Sequence, residues 1–248
     1  MQLLLTADLH CRLPWFKWLE AQALRYDAVV ISGDLLDVFH KEPLKRQVKR
    51  TTSWLRSLAA KTNVVLCSGN HDTIDIPSER GLCPMPAWVA GLASILTVDG
   101  KTAIICDQVV VTSLSFIATA AQKRPILAAA HRIRDEKHLP WIVINHHPPS
   151  FHQGIGAEEL IAGRFVEEFS PSFWACGRIR GQEPYLKKRG WVQRMGGSIV
   201  LNTPQFYAGQ ELLDAPFPNH VVLDLKARQL TWYSAFQDKV DEEAFTLG

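Results

Sequence analysis

The sequence predicts an α/β layered fold with two β-sheets, and three observations lead there. Short apolar runs rich in Val, Ile and Leu end in polar turns; stretches of helical periodicity separate them; and close-spaced β-like runs recur in the middle and the tail. The first runs are continuous rather than alternating, as in strands of a sheet covered on both faces. Strand, turn, helix, strand is the order of an α/β layered fold.

The elements follow in chain order. Residues 3–6 read as a strand ending before Ala7-Asp8-Leu9-His10, and residues 15–25 carry apolar side chains three and four apart, as a helix does. A second strand at 28–32 runs into Gly33-Asp34, a helix follows at 44–60, and a third strand at 63–68 runs into Gly69-Asn70-His71-Asp72. Residues 75–87, with Pro77, Gly81, Pro84 and Pro86, read as an irregular surface loop. Three β-like runs come next, at 94–98, 102–106 and 108–114, with Asp99-Gly100 and Asp107 as turns of a hairpin or meander. A helix is expected at 120–138, a strand at 141–145 before His146-His147-Pro148-Pro149, a helix at 157–169 and a strand at 173–176. The tail adds strands at 198–202, 220–225 and 229–234, the last two joined by Lys226-Ala227-Arg228. No linker or repeat divides the chain, so residues 1–248 are expected to form a single domain.

Composition sets the class. With 47% hydrophobic and 21% charged residues, the chain is a packed domain rather than a disordered scaffold. The 27 Lys+Arg and 25 Asp+Glu leave a net charge of +2, too small a field to mark a polyanion binder, so any anion site must be local. Five cysteines, odd in number and without C-x-x-C spacing, read as reduced, mostly buried thiols. The apolar start has no basic leader and is interrupted by Asp8 and His10, and no apolar stretch reaches the roughly 18 to 20 residues that cross a bilayer. A cytoplasmic protein without membrane contact is expected.

The chemistry sits where the strands end. Asp8 and His10 follow the first strand, Asp34 and Asp37 the second, Asn70 and His71 the third, and His146 a later one. In an α/β sheet the crevice outside the carboxyl ends of the strands binds ligands, so these turns converge. Their mixed oxygen and nitrogen donors suit Mn, Fe or Zn better than an all-oxygen calcium cage or a thiolate zinc site. A phosphoester repels nucleophiles by its own charge, and divalent cations neutralise it and acidify water. Asp34 is the natural carboxylate to lie between two ions, and His71 the natural acid for the departing oxygen.

Asp8-x-His10, Gly33-Asp34-x-x-Asp37, Gly69-Asn70-His71-Asp72 and the later His146 resemble, in order and spacing, the calcineurin-like binuclear metallophosphoesterase superfamily over about residues 1–205. The resemblance implies a four-layer α/β/β/α sandwich of two mixed sheets with metals at the sheet's C-terminal edge. It implies Asp8, His10 and Asp34 on a first metal, Asp34, Asn70 and His146 on a second, His71 near the leaving group paired with Asp37, and Asn70 positioning the phosphate. The implied activity is metal-dependent phosphoester hydrolysis, on a phosphodiester or nucleotide rather than a phosphoprotein, with Mn the foremost metal and Fe or Zn the others. Nucleotides or nucleic acid are the implied partners.

One motif departs from the family. Where it places Gly-His-x-His, this chain has Gly177-Arg178-Ile179-Arg180, and arginine offers a metal no lone pair. Three readings stay open: one metal on Asp8, His10 and Asp34, with the second site weakened; Arg178 and Arg180 gripping phosphate oxygens in place of a metal; or a protein that has lost turnover and binds a phosphorylated ligand or a protein partner. His147 and His152 could supply a missing ligand; otherwise His147 supports the site from behind or lies in a solvent-facing turn, and His152, on a loop close in sequence to the site, could contact substrate.

Residues outside the motifs have ordinary readings too. Lys45, Arg46, Lys49 and Arg50 form a solvated helix face or a phosphate-backbone contact. Lys187, Lys188 and Arg189, with Tyr185 and Trp191, could flank the cleft and suit stacked bases. Trp15 and Trp18 are expected as core residues or as walls of the pocket. His40, His131, His138 and His220 are expected at the surface or as satisfied structural residues.

Overall fold

The computed structural model describes residues 1–74, 85–150, 156–177, 191–203, 205–207, 210–211, 215–234 and 239–246. Arg178, Arg180, His152, Cys83 and the cluster from Tyr185 to Arg189 lie outside the described residues.

The parallel strands β1 (Gln2–Thr6), β2 (Ala28–Ser32) and β3 (Asn63–Cys67) form one half of a first sheet. Two helices, α1 (Leu13–Gln22) and α2 (Leu44–Ala59), connect them. A further helix, α3 (Ala87–Ala90), precedes the antiparallel pair β4 (Thr102–Ile105) and β5 (Val109–Ser113). Then come α4 (Ala120–Lys137), β6 (Trp141–Ile144), α5 (Ala157–Phe169) and β7 (Phe173–Cys176). The tail holds β8 (Val192–Met195), β9 (Ser198–Asn202), the short pair β10 (Phe206–Tyr207) and β11 (Gln210–Glu211), and β12 (His220–Asp224), β13 (Gln229–Ser234) and β14 (Lys239–Ala244). One six-stranded sheet has the order β14-β13-β12-β1-β2-β3, the other β4-β5-β6-β7-β9-β8. Both are mixed: the parallel strands of each carry antiparallel neighbours.

The period of two in each strand sorts the side chains into layers. Leu3 and Leu5, Val30, Val65, Val111, Ile142, Ile144, Phe173 and Leu201 meet between the sheets. Leu4, Val29, Ile31, Val64 and Leu66 face the other way, onto Trp15, Phe16 and Leu19 of α1 and Trp54, Leu55 and Leu58 of α2. Val110, Trp141, Val143, Trp174 and Val200 pack on Leu127 and Ala130 of α4 and Phe165 and Val166 of α5. Helices, sheet, sheet, helices are thus the four layers, as expected. The fully apolar strands follow from this, since both faces of each are covered.

Most expected elements stand within a residue or two of their sequence bounds. The run at 94–98 is a correction. Only Thr97 bridges, to Val65, while Leu96 N–H bonds Leu92 O at 3.1 Å in a turn that continues from α3. Leu92 and Leu96 are buried four residues apart, so their apolarity is helical in period. Strands β8 and β14 and helix α3 were not signalled by the sequence; β8 and β14 are sheet edges of alternating or charged composition.

Trp15 and Trp18 belong to the core rather than to a pocket wall. Trp15 is buried and its indole N–H donates to Ala215 O (2.8 Å), while Trp18 packs on Phe217 and His220. His220 itself is buried, stacks on its cross-strand partner Tyr233, and donates from Nδ1 to Pro218 O (2.8 Å). Burial pushes its pKa down to about 4, with only the Pro218 carbonyl opposing. A folded-state pKa below the free value means that His220 contributes full stability above pH about 6.5 and loses it as the pH falls toward 4. His220→Phe is therefore expected to flatten the acid limb of a thermal-denaturation pH series by roughly 3 kcal/mol relative to the parent.

Candidate metal centre

Three parallel strands of one sheet and one of the other deliver the site. The turn after β1 carries Asp8 and His10, that after β2 Asp34 and Asp37, that after β3 Asn70 and His71, and that after β6 His146. The first two turns zip together through Asp8 N–H to Gly33 O (2.9 Å), His10 N–H to Asp34 O (3.0 Å) and Cys11 N–H to Leu35 O (2.6 Å). Asp8, His10, Cys11 and Asp34 all take positive φ, between 43° and 57°, a conformation that costs a non-glycine residue on the order of 1 kcal/mol or more. Such strain gathers where geometry is dictated by function.

Two glycines let the turns close in. Gly33 has φ +92°, and a Cβ there would lie 2.7 Å from His146 Nδ1. A Cβ on Gly69 would sit 2.1 Å from Asp34 Oδ1, so only glycine fits beneath that carboxylate.

The donors fall into two groups. Asp8, Asp34 and His146 are buried and offer ligand atoms within 4.8 Å of one another; His10, Asp37 and His71 are half-buried and do the same. Asn70 joins the first group, its Oδ1 3.2 Å from His146 Nε2, and the latter is 3.3 Å from Asp34 Oδ2. His10 stands beside His71 (ring centroids 4.6 Å apart), and its charge is felt at Asp34.

Hydrogen bonds fix the imidazoles. His10 Nδ1 donates to Leu36 O (3.2 Å), which turns its Nε2 toward a ligand; His146 Nδ1 donates to Ser32 O (2.8 Å), and its Nε2, which faces Asn70 and Asp34, would turn its lone pair to a metal on giving up its proton. His71 Nδ1 accepts from Val38 N–H (3.3 Å), which puts the proton of the neutral ring on Nε2. Asp34 Oδ1 accepts from His71 N–H (2.8 Å). Asp37 Oδ1 accepts from Phe39 N–H (3.0 Å), and its own backbone is clamped by the buried Gln47 amide at 2.9 Å on both N–H and C=O.

The electrostatics are those of a buried anion cluster. Burial raises the Asp8 carboxyl well above the usual range, with Asp34 and Asp72 adding to it and His146 opposing. Burial pushes Asp72 up to about 7, Asp34 adding to it. At Asp34 burial acts the same way, but the charges of His146, His71 and His10 outweigh it and hold the carboxyl low. His146, which burial would lower, is raised to about 9 by Asp34 and Asp8. Buried carboxyls whose pKa values burial raises, as at Asp8 and Asp72, are short of positive charge, and a divalent ion of borderline character fits that deficit and the donor set.

Sequence reading missed the residues that hold these turns. Asp72 is fully buried and accepts from Leu35 N–H (3.0 Å), Leu36 N–H (3.0 Å) and Gly69 N–H (2.9 Å), tying the second turn to the third. Gln205 donates to Ala7 O (3.0 Å) and Asn219 O (2.9 Å), bracing the first. Asp72 stood inside a motif already singled out; Gln205 gave no signal. His147 is buried rather than solvent-facing, stacked on Phe116 (4.4 Å between centroids) with Nδ1 3.5 Å from Glu159. On α2, Lys45, Arg46 and Lys49 are exposed while Arg50 pairs with Glu42.

Solved structures share the architecture. A protein of Thermus thermophilus is similar over 98% of this chain and 98% of its own, with a TM-score of 0.59 at 15% identity. A dimetal phosphatase from Danio rerio is similar over 94% and 95%, with a TM-score of 0.54 at 12% identity. Purple acid phosphatase PPD1 from yellow lupin (Lupinus luteus) seeds is similar over 98% of this chain and 52% of its own, with a TM-score of 0.57 at 14% identity. At such identities the likeness is one of fold. No curated protein matches the sequence. The family model for calcineurin-like phosphoesterases matches residues 1–177, a span that holds every donor of the two groups, and the chain belongs to that family.

Proposed function

We propose that the protein is a metal-dependent phosphoesterase acting on a phosphodiester or nucleotide-type phosphoester, with Asp8, His10, Asp34, Asn70 and His146 as metal ligands. The observation that carries this is the ring of Asp8, Asp34 and His146, three buried donors within 4.8 Å at the joined strand ends. A divalent cation held there supplies charge to offset the phosphoryl oxygens and acidity to a water molecule. The chain's own residues do the rest. Asp34 fixes the His71 backbone through Oδ1. His71 stands near the leaving group; with its Nδ1 accepting from Val38 N–H, the ring carries its proton on Nε2 and offers the departing oxygen a hydrogen bond from there, while burial keeps its pKa below the ordinary histidine value. Asp37, linked to His71 through the amides of Val38 and Phe39, sets its place. Asn70 positions the phosphate, and Arg178 and Arg180 bind its oxygens.

The single-domain reading rests on an inter-sheet core that draws on both sheets at once. Cytoplasmic residence rests on the unpaired cysteine pattern of the sequence. No helix among the described residues is long and apolar enough to cross a membrane.

The test is hydrolysis of bis(p-nitrophenyl) phosphate by metal-stripped protein reloaded with Mn, Fe, Co, Ni, Zn or Mg. Turnover is expected with Mn foremost and none without metal; silence across the whole series overturns the reading and leaves a phosphate-binding protein. The Arg178→His/Arg180→His pair refines it. If the arginines grip phosphate, activity falls about tenfold or more; a rise in both metal content and activity shows that they merely weaken a metal site.

A further inference from the structure

We infer that the site takes a phosphoester bearing a planar aromatic ring close to its phosphate, and that Phe39 is the residue that stacks on that ring; the inference rests on the phosphoesterase reading. Seven large hydrophobic side chains are exposed among the described residues, and three of them, Leu13, Val38 and Phe39, lie on the segments that leave β1 and β2 beside the donors. Phe39 is the most exposed, at 86%. A scattered surface phenylalanine needs no explanation, but this one is placed by the site itself. Its N–H is held by Asp37 Oδ1 (3.0 Å), and the N–H before it by His71 Nδ1 (3.3 Å). The Phe39 and His71 rings meet at 78° with centroids 5.3 Å apart, which leaves most of the phenyl ring open next to one of the two donor groups.

That juxtaposition has a chemical meaning. The donors recognise charge and oxygen, while the open phenyl ring beside them recognises a flat apolar surface. A ring with only two side-chain torsions loses little freedom when a ligand stacks on it. Phe39 enters the hydrogen bonds of the turn through its backbone N–H, so deleting the ring leaves those bonds in place. An aryl ester and a nucleoside phosphate both present such a ring, and binding distinguishes them.

Isothermal titration of the metal-loaded protein with phenylphosphonate, a nucleoside 5′-phosphonate and methylphosphonate measures the preference without turnover. The parent is expected to bind at least one ring-bearing phosphonate about tenfold tighter than methylphosphonate, with Phe39→Ala erasing the preference and Phe39→Trp keeping it. Preference for phenylphosphonate alone identifies an aryl ester, and for the nucleoside compound a nucleobase; either supports the inference. No ring preference in the parent, a preference untouched by Phe39→Ala, or no phosphonate binding at all overturns it. Hydrolysis is scored separately: phosphoester turnover without a Phe39 effect sinks the stacking role alone, and Phe39-dependent binding without turnover sinks the hydrolase reading alone.

Discussion

Asp34→Asn is expected to lower kcat/KM for the proposed phosphodiester substrate by roughly 10³-fold or more, the worth of several kcal/mol of lost charge stabilisation. The substitution keeps the shape of the side chain and an oxygen for the His71 N–H that Asp34 Oδ1 now accepts, so the turns stay together. What it removes is the one carboxylate of the cluster that stays ionised against burial, held so by three imidazoles. Bound metal, measured by elemental analysis, should fall in parallel while circular dichroism stays that of the parent. Full activity in Asp34→Asn would mean that the buried donors are not the reaction centre.

Asp72→Ala destabilises the fold by roughly 3–5 kcal/mol, because it orphans the buried N–H groups of Leu35, Leu36 and Gly69 together. In a chain of this size that corresponds to a fall in Tm of about 10 °C. Asp72→Asn keeps one acceptor oxygen and, since burial already holds the native carboxyl near neutrality, costs about half as much or less. Equal stability of the alanine variant and the parent would show that the two turns hold without this tie.

The difference between these two residues shows what a sequence carries. Asp34 is legible because its neighbours announce it: an apolar run at 28–32, a glycine, then the carboxylate. Asp72 has the same composition around it and yet works as a brace, because what matters is that its carboxyl faces the amides of a turn 36 and 37 residues away. The run at 94–98 failed for a related reason: Leu92 and Leu96 are apolar at helical spacing, and only packing under the outer helices decides between the two periods there. Phe39 carries no sequence signal; only the fold sets it against His71.

The sequence by itself determined the strands, the helices between them and the donor residues at their ends, because period, turn chemistry and ligand type are local properties of the chain. Tertiary structure alone decided which donors meet. Asp8, Asp34 and His146 are brought together by the pairing of β1 with β2 and by contact between two sheets, and His10 is set toward Asp37 and His71 by its bond to Leu36. Those are distances across the fold, fixed by which layers pack and by where buried amides find acceptors, and no local pattern encodes them.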